Sequence, residues 1–90
     1  MKLSTPSLAW SLGLFWGGAI LLVGVANLAS PGYGSAFLQL LASVYPGYDG
    51  TTSLGQIAVA TVYGMVDGAI GGAIFAWLYN WLAQMFAPAP

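Results

Sequence analysis

Chemistry needs ionisable or nucleophilic side chains, and this chain has very few. Its acids are Asp49 and Asp67, its one cationic side chain is Lys2, and it has neither histidine nor cysteine. The usual ligands for zinc, haem and iron–sulfur clusters are therefore missing, as are disulfides and thiol nucleophiles. Two aspartates alone do not complete a catalytic metal site, so no catalytic residue and no metal ligand is assigned. One lysine cannot neutralise a run of phosphates, which removes nucleic acid as a partner. The inventory argues against an enzyme. That reading survives only if Asp67 contributes to a site shared with another chain.

Asp67 is the residue that invites a functional reading. It stands in "YGMVDGAIGG", Tyr63 to Gly72, inside a long apolar run that starts at Leu54. In a helix it lies about 13 residues, roughly 20 Å, from that start. If the helix crosses a membrane, this is near the middle, where an ionised carboxylate costs on the order of 3 kcal/mol. Lys2 is too far away to pair with it. Three outcomes are open: a neutral carboxyl, a carboxylate accepting hydrogen bonds from a neighbouring helix, or one paired with a cation from another protein or a watery cavity. Matching depths puts Trp16 and Gly17 of the first apolar run beside Asp67, which makes the Trp16 indole N–H the candidate donor. On a helical wheel Asp67 sits at the edge of a glycine stripe, facing protein more than lipid.

The elements that must position Asp67 follow from composition. Of the 90 residues, 59% are hydrophobic and 3% charged, against about 25% charged in a soluble domain. A short chain has much surface per volume and could not cover itself with polar groups in water. The expected solvent is lipid, and helices rather than strands satisfy their own backbone there. The expected fold is all-α: a two-span transmembrane helical hairpin with a short interfacial helix in the connection, one unit over 1–90. Span one covers 7–29, roughly 33 Å against a hydrocarbon core of about 30 Å. Its apolar region is too long for a secretory signal and carries Trp10 and Trp16, so it reads as a retained span. Pro6 suits a first helical turn, and Ser30-Pro31-Gly32 ends the helix.

Over 35–44, Phe37, Leu40, Leu41 and Val44 recur at helical spacing, with Ser35, Gln39 and Ser43 on the other side. This predicts a helix lying flat in the interface, with Tyr33, Tyr45 and Tyr48 as anchors at headgroup depth. Span two covers 54–86. Ser53 and Gln56 form a capping-box pattern at its start. Trp77, Tyr79 and Trp81 make an aromatic belt near its end. The closing "APAP" reads as a frayed tail. Both termini fall on one side, and Lys2 assigns that side to the cytoplasm.

Glycine spacing supplies the packing surfaces. Gly64, Gly68 and Gly72 recur every four residues and share a face with Ala60 and Gly71. Val59, Val62, Val66, Ile70, Ala73 and Trp77 lie opposite, toward lipid. In span one, Gly13, Gly17 and Gly24 form a matching stripe, with Gly18 off it and Asn27 on its flank. Such stripes let two helix backbones approach closely. The expectation is that one stripe closes the hairpin and the other binds a neighbour.

The pattern "GYG…YPGY…G…VDGAIGGAIFAWLYNWL" resembles a family of small bacterial two-span membrane proteins often labelled phage-holin-like. The likeness runs from Leu8 to Leu82. It is carried by Tyr45-Pro46-Gly47-Tyr48, Asp67-Gly68, Gly71-Gly72 and Ala76-Trp77-Leu78-Tyr79-Asn80. It implies a hairpin in the bacterial inner membrane and, by the label, a pore-forming lysis protein. Holins usually end in a strongly charged tail, whereas this chain ends "FAPAP". Asp67 is also similar in position to the carboxylate of the rotor-ring proteolipids of ATP synthases, although the connection here lacks their basic loop residue. The leading expectation is an accessory or structural subunit that packs on larger membrane proteins or on copies of itself. A holin-like oligomeric pore and a proton carrier using Asp67 are the alternatives. No cofactor is evident; lipid, quinone or pigment contacts are expected only within a larger complex.

Overall fold

The computed structural model describes residues 2–51 and 53–87. They form α1 (Thr5–Ala29), α2 (Ser35–Val44) and α3 (Leu54–Met85), with no strand among the described residues. Proline in the first turn and the Ser4 hydroxyl, which accepts from the Ser7 amide, start α1. At 1.5 Å per residue, α1 and α3 are roughly 37 and 48 Å long. Both are long and apolar enough to cross a membrane. The closing proline-alanine tail, 88–90, lies outside the described residues.

Helices α1 and α3 run antiparallel, and their register can be read from the glycines. A Cβ placed on Gly72 would collide with the Leu8 carbonyl, and one on Gly68 would lie 2.9 Å from the Gly13 Cα. A Cβ on Gly64 would lie 3.3 Å from the Gly17 Cα, and one on Gly24 would lie 2.9 Å from Ile57. So Gly13, Gly17 and Gly24 face the Gly68, Gly64 and Ile57 levels of α3, Gly72 lies against Leu8 and Ala9, and both stripes are used up inside the hairpin. This corrects the expectation that one stripe binds a neighbour: neither is left for that. Two bare helix faces give the closest backbone approach when set against each other, and the chain makes that contact with itself. Gly71 is the exception: it faces outward, and a Cβ there would meet nothing within 4 Å.

Gly34 makes the bend out of α1. It takes φ 66°, a left-handed conformation, and a side chain there would also strike Val23. α2 then packs onto the hairpin. Leu38 and Leu41 are buried with Ile20, Ala60, Tyr45 and Tyr48, and Trp16, Val23, Phe37 and Val59 pack around them. The expected apolar face of α2 is thus rotated: Leu40 and Val44 are 61% and 62% exposed. When nearly every face is apolar, shape rather than hydropathy decides which one packs. On α3 the bulky residues Val62, Val66, Ile70 and Trp77 point outward as expected, while α2 half-covers Val59.

Polar side chains fasten the ends. Ser53 Oγ accepts from the Gln56 amide, but Gln56 Oε1 accepts from the Asp49 amide, so only half of a capping box forms. Asn27, buried in α1, donates to the Tyr33 carbonyl. At the far end, Asn80 brackets Leu3: its Oδ1 accepts from the Leu3 amide at 2.7 Å and its Nδ2 donates to the Leu3 carbonyl at 3.0 Å.

Candidate functional site

The site gathers one polar residue from each helix or its end. Pro46 cannot follow a helical residue comfortably, so α2 stops and Tyr45 becomes extended, φ −99° and ψ 106°. Its side chain turns into the hairpin. The Tyr45 hydroxyl donates to Asp67 Oδ2 at 2.8 Å, and it accepts from the Trp16 indole N–H at 3.0 Å. Rings hold this chain of hydrogen bonds in place. Tyr45 stacks on Tyr63 with centroids 5.2 Å apart and planes 9° apart, and the edge of Trp16 meets Phe37 at 5.8 Å.

Three sequence expectations are corrected here. Trp16 does reach the depth of Asp67, yet it does not donate to it. α2 inserts a phenol between them, and a hydroxyl can accept from the indole while donating to the carboxylate. Tyr45 and Tyr48 are not headgroup anchors; they are 5% and 4% exposed, inside the fold. Asp67, expected to face protein, is itself exposed. Its Oδ2 accepts from Tyr45, and Oδ1 receives no hydrogen bond from the described residues. Tyr45 is the residue of this cluster that sequence reasoning misplaced. A tyrosine immediately before Pro-Gly, at the end of a short apolar helix, was the available signal.

Burial pushes the Tyr45 hydroxyl above its ordinary value. The Trp16 hydrogen bond works against this and Asp67 adds to it. The phenol therefore stays protonated at neutral pH and keeps donating. The arrangement engages one carboxylate oxygen of an exposed residue and leaves the other without a hydrogen bond from the described residues.

The other named residues lie apart from this site. Tyr33, Trp77, Tyr79 and Trp81 are exposed, as anchors would be. Trp77 and Trp81 stack at 6.3 Å and, with Lys2, Thr5, Asn80 and Gln84, line an open groove of about 570 Å³ at the terminal end. Among the described residues, no three of histidine, cysteine, aspartate and glutamate come together to hold a metal. No protein-family model, no curated protein and no solved structure matches this chain.

Proposed function

We propose that this chain is a small integral membrane protein that acts by packing, as an accessory subunit of a larger membrane complex. The two long helices form its membrane hairpin. The paired ends that carry Lys2 lie on the cytoplasmic side of a bacterial inner membrane, by the bias of basic residues toward that side. One observation carries the reading: Asp67 is exposed on an apolar helix while Tyr45 pins one of its oxygens. Left against lipid, that carboxylate costs several kcal/mol. An assembly that covers it removes the cost.

The same exposure would suit a ring of copies around water, as in a holin-like pore. The face it shares argues against that, since Tyr63, Gly71, Ile74 and Leu78 would leave most of such a wall apolar. Proton transfer has less support. The hydrogen-bond chain ends at the Trp16 indole, which donates but cannot accept, so a proton has no onward path through it.

Native mass spectrometry after mild extraction from the source membrane tests the proposal. Larger subunits co-purifying with this chain are expected. A homogeneous cluster of this chain alone would overturn the accessory role in favour of a pore.

A further inference from the structure

We infer that the open face around Asp67 seats a membrane-spanning helix of a different protein, one with a lysine or arginine at the depth of Asp67. This rests on the accessory-subunit reading above and names the chemistry of the partner. α2 packs on the bend side of Asp67, against Ile20, Ala60, Trp16, Val23 and Val59, and only the Tyr45 side chain at its end reaches Asp67. Beyond that point the same side of α3 lies bare. By helical spacing it carries Asp67, Gly71, Ile74 and Leu78, and the last two are exposed apolar side chains. Gly71 leaves open space where a side chain would stand, so a partner backbone can come close one turn from the carboxylate.

Charge then selects the occupant. Asp67 is exposed, and its Oδ1 has no donor among the described residues. A second copy of this chain cannot supply a cation there. Its only basic side chain, Lys2, lies at the end of the hairpin beside Asn80 and Gln84. Asn80 is 13 residues, roughly 20 Å, along α3 from Asp67, and turning a copy over leaves its lysine just as far from mid-helix. The tyrosine contact prepares the site: it engages one oxygen and leaves the other unengaged by the described residues, which spares a partner cation the ordering of the acid.

The test uses the full chain in lipid vesicles and synthetic apolar helices of about 20 residues, each with arginine or leucine at its centre. Association is read by energy transfer. The arginine-centred helix is expected to bind about tenfold tighter than the leucine-centred one. Asp67→Asn, which keeps an acceptor for Tyr45, should abolish that advantage. Gly71→Leu should weaken binding of the arginine-centred helix with the hairpin intact. Equal binding of both helices, or an advantage that survives Asp67→Asn, would overturn the inference. If larger subunits still co-purified with the chain, the accessory role would stand and only the basic partner would be wrong.

Discussion

Gly68→Ala is expected to loosen the hairpin, and Gly71→Ala, three residues on, is not. The Gly68 Cβ would lie 2.9 Å from the Gly13 Cα and closer still to the Leu12 carbonyl oxygen. Carbon atoms rest at about 3.5–4.0 Å, so the backbones must part by roughly 0.6–1 Å at this level. A gap of that size forfeits about a quarter to a half of the dispersion energy of the facing atoms, and overpacking of this kind typically costs about 1–3 kcal/mol. Alanine's better helix propensity returns up to about 1 kcal/mol, leaving a net loss of roughly 0–2 kcal/mol. Gly71→Ala meets no atom within 4 Å, so only the propensity gain applies, at most about 1 kcal/mol. The chain has no cysteine, which allows a donor–acceptor pair on Thr5→Cys and Gln84→Cys, two positions that line one groove. Loss of energy transfer during unfolding in mixed detergent micelles reads the hairpin directly. Equal effects of the two alanines on hairpin stability would refute the close-approach argument.

Tyr45→Phe keeps the ring stack on Tyr63 but removes the hydroxyl between Trp16 and Asp67. It should cost about 1–3 kcal/mol and shift Trp16 emission, measured with the other three tryptophans replaced by phenylalanine. Thr61 Oγ1 is buried with no hydrogen-bond partner among the described residues. Thr61→Val, nearly the same shape, should therefore be neutral or stabilise by up to about 1 kcal/mol in the same unfolding assay; marked destabilisation would mean the hydroxyl has a partner. Hydrogen bonds from the Thr51 hydroxyl and amide hold the Asp49 carboxyl below its ordinary value. Asp49's contribution to this turn is full above the ordinary carboxylate range and is lost as pH falls through the lowered folded value. Amide exchange at Thr51, corrected for its intrinsic pH dependence, should speed up only below that range.

Local signals placed the helices within about two residues, because proline, serine caps and glycine bends act on the backbone directly. Pro6 in the first turn of α1, Ser30 at its end and Ser53 before α3 each sit where their chemistry requires. The glycine spacing likewise located the tight contact at Gly13, Gly17, Gly64, Gly68 and Gly72, since only bare helix faces can come that close. It did not show that the two stripes would face each other, because a stripe carries no record of its partner. Gly71 joined the stripe on paper but looks outward, since the real packing face is narrower than a wheel sector. The Tyr45–Asp67 contact was hidden for a further reason. It joins residues 22 apart through the packing of α2 onto the hairpin, and the hydropathy of α2 suits the interface and the hairpin equally well.

The partial cover by α2 gives the molecule uneven thickness along its length. Three helices share the cross-section on the bend side of Asp67, and two share it on the side of the termini. Each helix is about 10–12 Å across with its side chains. In the membrane reading proposed above, the chain is a wedge that displaces more lipid area from one leaflet than from the other. Many copies held in one orientation would bend the sheet toward their narrow side. A partner helix seated above Tyr45 would even out the two leaflets and relieve that curvature.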